Sequence, residues 1–261
     1  MDISSKDDAW FSEWTAKWDA MQDAYVPGRR EAFRLIVDVL VEQFPNECRV
    51  IDLGAGAGTL AEEILNRHPN ASALCLDVEP FLPEAARRRL KPFGDRAKVV
   101  RCDMRKEGFT TEDTELTEED SAEAVVSSTT LHWFGEGILE KTFAACAKVL
   151  VPGGLFMNTD HIQSDDPAIA RLALDLNEAE RAAIFQRTRA MTWDEFWDGL
   201  GAELSPDQYY DTVACPAWGK QDGPEPGHTV STYTRLLHQA GFHEIGILWR
   251  HLANALLVAQ L

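Results

Sequence analysis

Three glycines at alternate positions, Gly54, Gly56 and Gly58, follow an acid in the stretch Val50 to Leu60, VIDLGAGAGTL. An apolar run enters this stretch and a helix-like AEEIL leaves it. Glycines so placed let the chain turn tightly and bring backbone, Ala55 included, close to a ligand. Phosphate-binding turns have their own spacings. The dinucleotide turn wants glycine at its first, third and sixth positions. Here the sixth is Thr59, and Gly58 comes one place early. A P-loop wants Gly-Lys followed by Ser or Thr, and no such tripeptide occurs. Both phosphate readings are weakened by the spacing.

Other residues could do chemistry near such a turn. Asp52 ends the run before it, where a carboxylate either meets a ligand amino group or caps backbone amides. Asp77 ends the next apolar run, where an acid can accept from two ribose hydroxyls; that position suits NAD as well. His132, in SSTTLHWF (Ser127 to Phe134), has an ordinary pKa near working pH. It reads as a general base or as a structural hydrogen-bonding group. His161, in NTDH, is a second base candidate with the same two readings. No HxxxH pair and no Cys/His cluster with metal-ligand spacing is present, so no metal is expected.

The elements that must hold these residues follow from the pattern. Five β-like runs alternate with helix-like ones: Arg49 to Ala55, Ala71 to Val78, Ala97 to Met104, Ala122 to Ser128 and Gly154 to His161. Short apolar runs between helices read as parallel strands covered on both faces. Phe242 to His251 and Ala253 to Leu261 are β-like with almost nothing between them. No crossover helix fits there, so they must pair antiparallel. Residues 1–45 precede the first strand and carry Trp10, Trp14 and Trp18 every four residues, with Phe11 and Met21 alongside. That stripe is one face of an amphipathic helix. It reads as core, or as an aromatic face for a cation. Residues 162–228 interrupt the sheet pattern with helical stretches and end in PAWGKQDGPEPGH. The acidic run TEDTELTEED (Thr111 to Asp120) reads as a solvated loop.

The form Asp52-Leu-Gly54-Ala-Gly56-Ala-Gly58 resembles motif I of the class I S-adenosylmethionine (SAM) methyltransferases. VLVPGGLFM (Val149 to Met157) and LLHQAGFHEIGI resemble that family's fifth-strand approach and its last helix and strand. The resemblance spans roughly residues 45–160 and 228–261. It implies an α/β, Rossmann-like seven-stranded mixed sheet, order 3-2-1-4-5-7-6, with helices on both faces. It implies a single methyltransferase domain over 1–261, with 1–45 as a helical cap and 162–228 as a helical lid over the ligand edge. SAM is the implied cofactor. Its site would take in Asp52, the glycine turn, Asp77 with Val78 on the ribose, and Asp103 with Met104 on the adenine. Ser127 and Ser128, at the fourth-strand end, would lie beside the transferring methyl. Tyr25 and Arg29, in YVPGRREAF, would reach the methionine tail, Arg29 by pairing with its carboxylate; a solvated arginine is the alternative. The SSTTLHWF motif resembles carboxyl-directed O-methyltransferases of the salicylate, juvenile hormone acid and trans-aconitate types. That points to Trp133 as an acceptor-binding residue and to methylation at oxygen; Trp10 and Trp14 of the N-terminal stripe are further acceptor-binding candidates. A carboxylate acceptor needs no base; a hydroxyl acceptor would need His132 or His161. Other SAM chemistry, such as cyclisation or N-methylation, and a non-catalytic SAM-binding role are the alternatives.

Composition bounds the rest. The chain has 261 residues, 45% hydrophobic, enough for a sizeable core. Its net charge of −18, from 25 basic and 43 acidic side chains, disfavours nucleic acid and anionic membrane as partners. A small-molecule acceptor and a monomer or homodimer are expected. No apolar run reaches about eighteen residues and no basic-then-apolar leader opens the chain, so a cytoplasmic protein is the expectation. Cys48, Cys75, Cys102, Cys146 and Cys215 form no CxxC pair and read as buried thiols.

Overall fold

Successive residues of strand β1 (Cys48–Leu53) go to opposite faces of a sheet, and each face meets a different set of helices. The computed structural model describes residues 3–107, 109, 121–204 and 227–261. The other strands are β2 (Ala71–Asp77), β3 (Ala97–Arg101), β4 (Ala122–Ser128), β5 (Leu150–His161), β6 (Gly246–His251) and β7 (Asn254–Gln260). Their order is β3-β2-β1-β4-β5-β7-β6, the expected one. Strands β1 to β5 pair in parallel, while β7 runs antiparallel to both β5 and β6. The final pair is a hairpin with only Leu252 and Ala253 between the strands. Observed strands are displaced by a few residues from the sequence reading. β3 stops at Arg101, so Asp103 lies beyond its end, and Met104 opens a short helix α5 (Met104–Glu107).

One face carries α2 (Arg29–Gln43) and α3 (Thr59–Arg67). Phe33, Ile36, Val37 and Leu40 of α2 meet Leu60, Ile64 and Leu65 of α3 over Val50, Ala73, Val126 and Met157. The helix α4 (Phe81–Leu90) follows β2 and contributes Leu90 here. On the other face α6 (Glu136–Val149) packs Leu139, Phe143 and Cys146 over Ile51, Leu53, Val125 and Phe156. Each fully buried large apolar side chain of this kind contributes about 1.5–3 kcal/mol.

The segment before β1 is the helix α1 (Asp8–Tyr25), capped by Asp7, whose carboxylate accepts from the Trp10 N–H. Its stripe of Phe11, Trp14, Trp18 and Met21 is buried. After β5 come α7 (Pro167–Thr188) and α8 (Trp193–Ala202), the latter opened by a Thr192/Glu195 capping box. The α1 stripe packs on Phe81, Leu82 and Ala85 of α4 and on Phe196, Trp197 and Leu200 of α8. The helix α9 (Val230–Gln239) then returns the chain to the sheet, burying Tyr233, Leu236 and Leu237 on the α6 side. Cys48, Cys75, Cys102 and Cys146 are buried. Cys215, the acidic run Thr111 to Asp120 and most of PAWGKQDGPEPGH lie outside the described residues. Among the described residues no helix is long and apolar enough to cross a membrane.

Candidate ligand site at the carboxyl edge of the sheet

The chain leaves β1 through Gly54, Gly56 and Gly58, whose φ angles are +69°, +55° and +78°. A side chain at Gly54 would also be blocked by space: its Cβ would stand 2.0 Å from Thr130 Oγ1. Thr130 follows β4, and its hydroxyl donates to Gly54 O or to Ser128 O. A Cβ on Gly58 would meet Ala86 and Leu90 of α4 at 3.2 Å. So the first and third glycines serve packing as well as conformation. Gly56 is different: the three atoms nearest a built Cβ all belong to the Trp18 indole, with Nε1 at 3.4 Å.

The Gly54 and Ala55 N–H groups donate to Leu76 O, and the Gly56 N–H donates to Asp77 Oδ2 at 2.8 Å. Asp77 Oδ1 accepts from the Glu79 N–H. The Glu79 carboxylate in turn caps α4, Oε2 accepting from the Phe81 and Leu82 N–H groups. Burial pushes the Asp77 carboxyl up, against the N–H bonds it receives. Burial, joined by the Asp77 charge, pushes Glu79 well up, and its Oε1 has no partner. Asp52 is 1% exposed. Burial, then repulsion from Asp77, raises it to about 7, although Arg29 pulls the other way. Its Oδ2 has no hydrogen-bond partner.

Arg29 starts α2 and is buried, with Nη1 donating to Asp23 at 2.8 Å and Nε unpartnered. Tyr25 stands at the end of α1. Its ring meets Phe185 of α7 edge-on, and its hydroxyl accepts from the Trp193 N–H. Ser127 is spent on β1, its Oγ donating to Leu53 O. Ser128, on the opposite face and therefore on the face of Asp52, leaves its buried Oγ unpartnered. Buried polar atoms without partners are uncommon and costly, about 1–3 kcal/mol each. Here a carboxylate oxygen, a guanidinium nitrogen and a hydroxyl are all left so around one strand end. Such a set fits a zwitterionic amino-acid group.

Asp103, beyond β3, is engaged by its neighbour: Arg105 Nε and Nη2 each donate to one carboxylate oxygen at 2.8 Å. Val78 directly follows Asp77 at the end of β2, and its carbonyl accepts from Arg101 Nε. Met104 is buried in the core face. Trp10 and Trp14 lie within the α1/α4/α8 aromatic cluster. Trp10 donates to Glu203, and Trp14 meets Phe196 edge-on. The third tryptophan of the stripe, Trp18, is the one beside the glycine turn, and the sequence offered no way to rank the three. One residue further on, Asp19 accepts from Thr59 Oγ1 at 2.6 Å and pairs with Arg89. Arg89 also donates to Ala57 O and Thr59 Oγ1, so α1 is tied to the turn and to α4.

The two histidines meet. His132, in the 3-10 turn Leu131–Trp133, and His161, ending β5, have ring centroids 5.1 Å apart, and the Trp133 ring is 4.9 Å from His132. Asp160, between them, was not singled out by the sequence. Its buried carboxylate accepts from the His132 N–H at 3.1 Å and the His161 N–H at 2.8 Å, and lies 2.7 Å from His132 Nδ1. Burial works to raise Asp160, but the His132 imidazole and the N–H bonds outweigh it and hold the acid low. His161 Nδ1 lies 2.7 Å from Asn254 Oδ1. No group of three or more His, Cys, Asp or Glu side chains arranged for a metal occurs among the described residues.

Residues 50–154 match the family model described as a methyltransferase domain. The chain is 28% identical over 135 residues to the malonyl-[acyl-carrier protein] O-methyltransferase of Geobacter sulfurreducens, covering 51% of this chain and 46% of that relative. It thus spans about half the length of that relative. It is 19% identical to the carboxy-S-adenosyl-L-methionine synthase of Nautilia profundicola, over 89% of this chain and 86% of that one. Among solved structures, an O-methyltransferase family protein from Burkholderia thailandensis superposes with a TM-score of 0.54 at 21% identity, over 87% of this chain and 55% of that one.

Proposed function

Because the chain belongs to the class I SAM-dependent methyltransferases, we propose that the carboxyl edge of its sheet binds SAM and directs methyl transfer to oxygen on a small-molecule acceptor. The observation that carries this is an excess of buried carboxyl over cationic groups, whose ionisation burial opposes. Asp52, Asp77 and Glu79 are all buried at the ends of β1 and β2. Arg29 is the cation acting on Asp52, and it already bonds Asp23. A phosphate ligand would worsen that imbalance. SAM carries a sulfonium and an ammonium against one carboxylate, and relieves it.

The residues would divide the ligand as follows. Arg29 Nε meets the tail carboxylate, and Asp52 Oδ2 with Ser128 Oγ the ammonium. Asp77, held from behind by the turn, accepts from the ribose. Trp18 stands beside Gly56, where backbone and ligand come close. Bound SAM supplies an electrophilic methyl on sulfur. The protein excludes water and brings the acceptor oxygen into line with it. Residues 1–45 and 162–228 serve as cap and lid. Trp133, just beyond β4, donates from its indole to the acceptor.

Titration calorimetry with S-adenosylhomocysteine tests the cofactor, and a SAM-like response to NAD instead would end the reading. Incubating a metabolite extract with SAM labelled in its methyl group, followed by mass spectrometry, tests the transfer. The near full-length likeness to a carboxy-SAM synthase supports a second reading, in which SAM itself is modified. That predicts a new sulfonium species and no labelled acceptor.

A further inference from the structure

Asn254, at the start of β7, is 0% exposed and ties three separate elements together. Its Nδ2 donates to the Pro27 carbonyl, in the link between α1 and α2, at 3.2 Å. The same Nδ2 donates to Asn177 Oδ1 of α7 at 3.1 Å. Its Oδ1 faces His161 Nδ1 at 2.7 Å. A backbone carbonyl can only accept, so the amide must turn its nitrogen toward Pro27 and its oxygen toward His161. An amide oxygen can only accept in its turn. His161 Nδ1 therefore carries the hydrogen, and in the neutral ring Nε2 is the nitrogen with the lone pair.

The far end of this relay sits on α7. Asn177 is the one buried residue of that 22-residue helix. A buried carboxamide is costly without partners, and an apolar residue would seat a helix more simply. The only described bond of the Asn177 side chain is the one to Asn254. The same amide thus joins the α1–α2 link, two residues from Arg29, to α7 and to a histidine on the ligand edge.

We infer that Asn254 is a positioning residue, which sets His161 in its Nδ1–H tautomer and, through Asn177, makes that tautomer depend on α7 being seated. The inference rests on the SAM reading above and narrows its acceptor to a hydroxyl, which has a proton to lose. His161 Nε2 takes that proton as the acceptor oxygen bonds the methyl carbon. The carbon–sulfur bond breaks with its electron pair going to sulfur, leaving a neutral thioether, and the proton then passes from His161 to water. His161 is the stronger candidate of the two imidazoles because it is half-buried, whereas His132 is buried beside Asp160. An unseated α7 would remove one of the two bonds that hold the Asn254 nitrogen away from His161, and so ease the turn that lets the ring place its hydrogen on Nε2, where it could not accept a proton.

The test is nitrogen NMR of the protein with 15N-labelled histidine, with His161→Gln to assign the ring. The wild type should show Nδ1 protonated and Nε2 bare in the neutral ring. Asn254→Ala and Asn177→Ala should each move the population toward Nε2–H by about fivefold, the factor of one ordinary hydrogen bond. If Asn254→Ala does not fold, Asn177→Ala, on the outer helix, carries the test. A wild-type ring with its hydrogen on Nε2 would overturn the assignment. An unchanged ring in a folded Asn177→Ala would overturn the coupling to α7. Calorimetry with S-adenosylhomocysteine on the same samples keeps the two readings apart: a wild type that does not bind it, yet shows the Nδ1–H ring, loses the SAM reading and the acceptor that rests on it, while the relay through Asn254 stands.

Discussion

The Gly56 N–H donates to Asp77 Oδ2 at 2.8 Å, so the turn after β1 and the end of β2 form one unit before any ligand arrives. A carboxylate has about four lone-pair sites. Gly56 and Glu79 take one on each oxygen. What remains can accept from two hydroxyls, and the acid is already oriented for them.

Asp77→Ala removes both functions at once. Loss of hydrogen bonds to a charged acceptor should cost about 2–4 kcal/mol of S-adenosylhomocysteine binding. That is about 30-fold to 1000-fold in affinity. Asp77→Asn keeps one acceptor oxygen and should fall between. Calorimetry on folded variants checks this, and an unchanged affinity in Asp77→Ala would remove Asp77 from the site.

Asp52 should make the protein respond to pH in a definite sense. Its carboxyl sits at about 7 against an ordinary 3.8. A group raised in the folded state contributes stability that is complete below its unfolded value and is lost as pH rises through the folded one. Asp52→Asn should therefore match the wild type near pH 4 and exceed it by roughly 4 kcal/mol at pH 8 in the absence of ligand. Ligand binding should run the other way. An ammonium needs the ionised acid, so wild-type affinity for S-adenosylhomocysteine should rise from pH 6 to pH 8, and Asp52→Asn should abolish the rise. Urea melts and calorimetry across this range decide both.

Gly54→Ala meets two obstacles, a φ of +69° and Thr130 Oγ1 at 2.0 Å from the new Cβ. Strain and overpacking together should destabilise the fold by about 2–4 kcal/mol. Gly56→Ala meets strain with its nearest neighbour, the Trp18 indole, no closer than 3.4 Å, so its stability loss should be smaller and its loss of ligand binding proportionally larger. Equal melting midpoints for the two variants would contradict this division.

Trp133→Phe keeps most of the ring volume and removes the indole donor. It should lower acceptor turnover while leaving S-adenosylhomocysteine affinity within about twofold, since the indole donates to the acceptor oxygen as it loses its proton, where a bond to a charged group contributes about 1.5–3 kcal/mol. Full turnover with a lowered melting temperature would assign Trp133 to the packing it makes against the α6-side core.

What the sequence determined by itself is whatever depends on local spacing. Glycines at 54, 56 and 58 demand a turn wherever the chain folds, because φ angles near +60° exclude most side chains. Apolar runs separated by helical stretches demand a sheet covered on both faces. Two runs two residues apart demand an antiparallel hairpin; the strand order observed is the one the family resemblance implied. The tertiary structure alone decided which polar atoms meet. Trp10, Trp14 and Trp18 share one helical face, but only the packing of α1 against α4 and α8 brings Trp18 to Gly56 and leaves Trp10 and Trp14 among aromatic rings. His132 and Asp160 stand 28 residues apart, and His161 and Asn254 stand 93 apart. Neither pair has a local signature, because the neighbours of a strand end are set by the order of strands across the sheet rather than by order along the chain. Asn177 is further from sight still. In sequence it is one of several polar residues scattered along the helix, and only burial against Asn254 gives it a partner to hold.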